Sequence, residues 1–169
     1  IGAVTLPITK DQKIEGLITI GDIATSYMDV LDNCVLSKAR TQYKTIAETI
    51  DGEVYAGNEH AHFVRGKVVI ATSNPEYMAD YIEDDDLVIL GDREEAQMQA
   101  IRSNASCIII GGGLEVAEEV KKLAEKRDCV IITTPFDTFS VARLINQSMP
   151  IKQYMTRREL VTLDIDDYV

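Results

Sequence analysis

The sequence predicts an α/β protein built on a mostly parallel sheet of about five strands, with helices on both faces. Two observations carry this. Leu87-Val88-Ile89-Leu90 and Cys107-Ile108-Ile109-Ile110 are short, uninterrupted apolar runs bounded by polar residues or glycine. Such runs suit parallel strands covered on both faces, because alternation arises only where one face meets water. The segment between them has helical spacing, with Met98, Ala100 and Ile101 inward and Asp92 placed to cap it, three residues before Glu95. Strand, helix, strand in this order is a βαβ unit, and the flanking segments repeat the alternation.

Taken from the start, Leu6-Pro7-Ile8-Thr9 and Ile14 to Thr19 form a β-hairpin, with the polar Lys10-Asp11-Gln12-Lys13 as its turn. Gly21-Asp22 opens a helix with Ile23, Tyr27 and Val30 or Leu31 on one face. The spacing of Leu36, Ala39, Tyr43, Ile46, Ala47 and Ile50 predicts one amphipathic helix ending before Asp51-Gly52. Val54 to Ala56 and Lys67 to Ala71 read as strands. Ser73 or Asn74 can cap a helix begun by Pro75, which carries Tyr77, Met78, Tyr81 and Ile82 up to the acidic run Glu83 to Asp86. After the central unit, Leu114 to Arg127 reads as a helix with Val116, Ala117, Val120, Leu123 and Ala124 inward. Cys129 to Ile132 is a fifth strand and Phe139 to Gln147 a last helix.

The 169 residues allow one domain plus appendages, and 46% apolar content can fill a core. No apolar run approaches the roughly 20 residues of a membrane span, and no secretory leader is visible. Cys34, Cys107 and Cys129 are odd in number, and two fall in apolar strands, so reduced cytoplasmic thiols are expected rather than a disulfide framework. A formal charge of −11 repels nucleic-acid phosphates, yet leaves room for a small anion held by backbone N–H groups. The sequence opens on Ile1, not Met, and inside a motif, so it reads as a piece of a longer chain.

The octapeptide Gly16-Leu17-Ile18-Thr19-Ile20-Gly21-Asp22-Ile23 resembles the signature of cystathionine-β-synthase-type (CBS) domains: glycine, two apolar residues, Thr, two spacers, Asp, apolar. The resemblance implies that Thr19 contacts nucleotide phosphate and that Asp22 accepts hydrogen bonds from both ribose hydroxyls. The chemistry suits these residue types. A carboxylate accepts from two vicinal hydroxyls at once, and a strand-to-helix turn aims N–H groups outward at a positive dipole end. On the residues alone, the competing account makes Asp22 a helix N-cap and Thr19 an ordinary strand residue.

Asp92-Arg93, Gly111-Gly112-Gly113 and Thr134-Pro135-Phe136-Asp137-Thr138-Phe139 resemble a DRTGG domain spanning about Ser37 to Met149, with Gly111 standing where Thr is usual. Ile151 to Thr156 and Leu160 to Asp167 resemble the opening of a second CBS domain. The expected organisation is therefore residues 1–36 as the end of one CBS domain, 37–149 as the DRTGG domain and 150–169 as the start of another CBS domain. The flanks are partial α+β segments.

This order resembles the regulatory region of CBS-containing family II inorganic pyrophosphatases. The resemblance implies a non-catalytic region that binds adenine nucleotides, AMP and ADP inhibiting, ATP or diadenosine polyphosphates activating. It also implies a homodimer in the cytoplasm and an attached catalytic domain holding manganese or cobalt, whose DHH triplet does not occur in this sequence. No nucleic-acid or membrane partner is expected. Two other readings stand beside it. One is a dimerisation or spacer module without a ligand. The other is a DRTGG-containing fragment of a phosphotransacetylase-like enzyme, which would need a nucleophile with a base and an orienter.

No catalytic or metal-binding residue is assigned. Gly111 to Gly113 lack the Lys-Ser/Thr of a P-loop and the spacing of a dinucleotide fingerprint, so they read as a tight turn. His60 and His62, with Glu59 beside them, are too few for a metal site. Asp84-Asp85-Asp86 reads as a solvated turn rather than a magnesium site.

Overall fold

The structure, a computed structural model, describes residues 5–28, 32–71 and 74–156. It divides into a unit formed by residues 1–29 with 151–169, and a unit formed by residues 30–150. In the first, β1 (Thr5–Lys10) and β2 (Lys13–Thr19) pair antiparallel. Their turn has two residues, not the expected four, because Asp11 (φ 49°) and Gln12 (φ 63°) are both left-handed. That geometry matches the twist of the strands, so Lys10 and Lys13 join the ladder as a pair. β2 passes directly into α1 (Ile20–Met28). Of the face expected on this helix, Ile23 is exposed, while the side chain of Tyr27, together with Val30 and Leu31, lies outside the described residues.

Leu17 turns both its backbone groups away from β1. Its N–H donates to Thr156 O at 3.1 Å, and Thr156 N–H donates back to Leu17 O at 2.8 Å. Pro7 stands opposite Leu17, where the ladder between β1 and β2 asks for no donor. That placement is why a proline fits in this strand.

In the larger unit, the single helix expected over 36–50 is two: α2 (Val35–Lys38) and α3 (Tyr43–Thr49). The break falls at Arg40, whose φ of 53° cannot continue a helix, and at β3 (Thr41–Gln42). After β4 (Glu53–Ala56), β5 (His62–Phe63) returns to pair with β3. The buried Thr41 hydroxyl donates to Leu36 O at 3.0 Å, closing the kink. All six apolar residues of the expected stripe are nonetheless buried. Periodicity here encoded burial, not helix continuity.

The chain then runs β6 (Val68–Ile70), α4 (Pro75–Met78), β7 (Leu87–Leu90), α5 (Glu94–Arg102), β8 (Cys107–Ile110), α6 (Glu118–Arg127), β9 (Val130–Thr133) and α7 (Thr138–Leu144). The sheet order is β4-β9-β8-β7-β6, parallel except for the edge pair β4 with β9. Met78 of α4, Ile101 of α5 and Val120 of α6 share one core cluster, which places the three connecting helices on one face. Crossovers of a single hand between consecutive parallel neighbours do this. There Val88, Leu90, Ile108, Ile110 and Ile131 form one core with Met78, Ile101 and Val120. On the other face α3 packs on β9 and α7 on β7. Both faces are covered, and every residue of β7 and β8 is buried.

Several boundaries differ from expectation. α4 is one turn long, with Asn74 at its N-cap position making no side-chain cap bond, and Ser73 lies outside the described residues. Met78 and Ile82 are buried as expected, but Tyr77 is exposed. α5 begins at Glu94 with Arg93, not Asp92, at the cap position. α6 starts at Glu118 rather than Leu114, because the chain is still extended at Ala117 (φ −63°, ψ 143°), the cap position. β9 starts at Val130, one residue after Cys129. The last helix ends at Leu144 and tightens into a 3-10 turn over Ile145–Ser148.

Candidate functional site

Thr19 closes β2 and stands immediately before the first residue of α1, with Asp22 in the first helical turn. The Asp22 N–H donates to Thr19 Oγ1 at 3.1 Å, and the Thr19 N–H donates to Asp22 Oδ2 at 2.7 Å. This reciprocal pair is a capping box with aspartate in the position usually held by glutamate. The Thr19 hydroxyl also donates to Asp22 Oδ2, at 2.7 Å. That bond first, and the backbone bond second, hold the Asp22 carboxyl below its ordinary value. Both residues are half-buried, and Ile20 and Ile23 beside them are exposed. The structure thus brings the two expected site residues into contact. It assigns the cap to Thr19, whereas the competing account had placed it on Asp22.

Such an arrangement has specific chemical capacity. It presents an ionised carboxylate, already oriented, at the positive end of a nine-residue helix. Apolar side chains flank it. A sugar with vicinal hydroxyls and a flat aromatic base whose face packs on apolar side chains is a ligand of matching chemistry.

Glycines 111–113 serve another purpose. Gly112 N–H donates to Phe136 O and Gly113 N–H to Thr134 O, each at 2.9 Å, so these donors are committed to the neighbouring loop. A Cβ on Gly111 would stand 2.6 Å from Phe136 O. Beside this turn runs a groove of about 580 Å³ lined by Asp51, Glu53, Glu115, Tyr55 and Leu114, with no basic side chain among its described lining residues. Carboxylates at the rim and spent N–H groups suit no phosphate. The segment after β9 is likewise structural: buried Thr134 donates to Ile50 O at 2.5 Å, and Asp137 caps α7 through Ser140 N–H at 2.9 Å.

His60 sits 3.2 Å from Glu59 on an exposed loop, and among the described residues no three His, Cys, Asp or Glu side chains group as a metal site. The acidic run is the expected solvated turn at Asp84 and Asp85, but not at Asp86. Asp86 is fully buried, its carboxylate accepting from Lys67 N–H and Glu83 N–H, both at 2.9 Å. Sequence reasoning also missed the contact of Met155 and Thr156 with Gly16. Only the glycine itself, inside a strand, hinted at a close backbone approach.

Residues 45–148 match the DRTGG domain family, more than half of the chain. The chain belongs to the DRTGG domain family. It is also similar along most of its length to the regulatory region of a pyrophosphatase. The crystal structure of the CBS and DRTGG domains of the regulatory region of Clostridium perfringens pyrophosphatase, complexed with the activator diadenosine tetraphosphate, superposes with a TM-score of 0.90 at 34% identity. The match covers 98% of this chain and 72% of that one. The cobalt-dependent inorganic pyrophosphatase of Clostridium perfringens is 36% identical over 154 residues, 91% of this chain and 28% of that protein. The probable manganese-dependent inorganic pyrophosphatase of Thermotoga maritima is 28% identical over 157 residues, 93% of this chain and 29% of that protein. The chain therefore spans less than a third of the curated relatives it matches. Both the DRTGG resemblance and its setting in a pyrophosphatase regulatory region are borne out. Among the described residues no helix is long and apolar enough to cross a membrane.

Proposed function

We propose that this chain is the regulatory region of a manganese- or cobalt-dependent inorganic pyrophosphatase and that it binds adenine nucleotides at Thr19 and Asp22. Diadenosine polyphosphate or ATP activates the attached catalytic domain, and AMP or ADP inhibits it. The assembly is a cytoplasmic homodimer. Residues 1–36 end one CBS domain, 37–149 form the DRTGG domain and 150–169 begin the second CBS domain. Regulation then consists in a nucleotide binding one arrangement of the protein more tightly than another, since equal affinity would shift nothing.

The observation that supports this reading most is the likeness, over 98% of the chain, to a region complexed with diadenosine tetraphosphate. The oriented carboxylate of Asp22 supplies the chemistry. Calorimetric titration of diadenosine tetraphosphate into the complete region tests it. Saturable heat for the wild type and at least about tenfold weaker binding for Asp22→Ala are expected, as for loss of charged hydrogen bonds. Equal heats for both proteins would remove Asp22 as ribose ligand.

A second reading has one observation in its favour. Thr19 and Asp22 satisfy each other as a plain capping box would, which is what a spacer module without a ligand requires. The absence of heat from the wild-type titration would select it.

A further inference from the structure

Gly16 has almost no space above its Cα. A Cβ there would lie 2.8 Å from the Thr156 carbonyl oxygen, 3.0 Å from Met155 Sδ and 3.1 Å from Met155 Cγ. Met155 is buried, and the chain reaches it through a 3-10 turn at Ile151–Gln153, with Met155 N–H donating to Ile151 O at 3.0 Å. The two-way hydrogen bonding between Leu17 and Thr156 completes the contact. β2 is therefore held on one edge by β1 and on the other by a segment from the far end of the chain. Thr19 lies two residues beyond Leu17 on that same strand.

We infer that Met155–Thr156 is a positioning element for the Thr19–Asp22 motif, and that its seating on β2 and ligand occupancy at the motif stabilise each other. The inference rests on the nucleotide reading above and adds a means of regulation to it. A ligand that needs Thr19 Oγ1 and the Asp22 carboxylate in fixed relation binds best when the strand carrying Thr19 cannot twist. A strand bonded on both edges has little freedom to do so. The coupling is reciprocal by thermodynamic necessity, so a bound ligand must tighten the Leu17–Thr156 bonds. Thr156 reaches the motif through Gly16 and Leu17 of β2, which makes it a positioning residue.

Hydrogen exchange on the intact protein, with and without saturating diadenosine tetraphosphate, tests the coupling directly. The Leu17 and Thr156 amides should exchange about tenfold more slowly with the nucleotide bound, within the usual range of allosteric coupling. Gly16→Ala, which drives the Thr156 carbonyl away, should weaken the nucleotide about tenfold. Ile14→Ala, exposed on the same strand, should bind as the wild type does. Nucleotide binding with unchanged exchange at both amides overturns the coupling and leaves the nucleotide reading intact, whether or not Gly16→Ala folds. Wild-type affinity in a folded Gly16→Ala protein does the same. A wild type that binds no nucleotide removes the nucleotide reading and the coupling with it.

Discussion

Asp22 Oδ2 accepts hydrogen bonds from both the hydroxyl and the backbone N–H of Thr19, each at 2.7 Å, so the two residues of the motif orient one another before any ligand arrives. On the proposed reading, an incoming ribose would meet a carboxylate whose rotamer is already fixed, and would lose correspondingly less entropy in ordering it.

The same bonds set a pH dependence. The Thr19 hydroxyl, then its N–H, hold the Asp22 carboxyl below its ordinary value. At α7 the Ser140 N–H, then its hydroxyl, do this for Asp137. A carboxyl with a lowered folded-state pKa adds stability that is fully present above its unfolded value of about 3.9. That contribution is lost as pH falls through the lower, folded-state value. The first turns of α1 and α7 should therefore stay intact from neutrality to about pH 5 and loosen only in stronger acid. Carboxyl-carbon NMR titration checks this. A midpoint for either residue at or above about 3.9 contradicts the two caps.

Asp86 carries a different kind of load. Its carboxylate is fully buried and satisfies two backbone donors, Lys67 N–H before β6 and Glu83 N–H after α4. Lys67 Nζ is 3.9 Å from it but bonds the exposed Glu83 at 2.8 Å, so that ion pair contributes little. Asp86→Ala leaves two partly buried donors without their acceptor, and each orphaned group costs about 1–3 kcal/mol where water does not replace the lost partner. Urea unfolding should show about 2–4 kcal/mol of lost stability with an unchanged m-value. A loss under about 1 kcal/mol would mean that water reaches both donors.

Residues that bury themselves locally were legible in the sequence. The apolar runs of β7 and β8 could only be interior strands, and the stripe from Leu36 to Ile50 fixed which residues are inside. The break at Arg40 was not legible, since nothing in its local composition calls for φ of 53°. It follows from β3 pairing with β5 about twenty residues away, a tertiary bond that overrides propensity. Asp86 misled for the same reason: three consecutive aspartates look solvated until the fold turns one inward. At the site, the motif singled out Thr19 and Asp22. The capping account, however, placed the cap on Asp22 and left Thr19 an ordinary strand residue, whereas Thr19 is the cap. The Met155–Thr156 contact with Gly16 joins distant parts of the sequence and left only a glycine as its trace.

Gly111 gives a sharp test of why this turn lacks the threonine usual in the family. Its missing Cβ leaves room for Phe136 O, and the neighbouring Gly112 and Gly113 N–H groups bond the same loop. Gly111→Thr must displace that carbonyl and strain the anchor that Thr134 makes to Ile50 O. Overpacking of this kind costs about 1–3 kcal/mol. Calorimetric melting should register the loss in the larger unit. A variant as stable as the wild type would show that the loop from Thr134 to Asp137 moves freely.

The three thiols are all free, yet they differ in reach. Cys107 is fully buried on β8, and burial first, then the neighbouring Cys129, pushes its pKa well above the usual thiol value. Burial likewise pushes Cys129 up to about 12. At pH 8 its thiolate fraction is then roughly one in ten thousand, and the thiolate is the reactive form. Cys34 is half-buried, before α2, with its Sγ 3.6 Å from Asn33 Oδ1. A maleimide in excess should therefore label Cys34 alone in the native protein, and all three cysteines once denaturant opens the sheet. Mass spectrometry of the labelled peptides counts the sites. Native-state labelling of Cys107 or Cys129 at a rate matching Cys34 would mean that the sheet opens on the timescale of the reaction, which a core closed by helices on both faces should prevent.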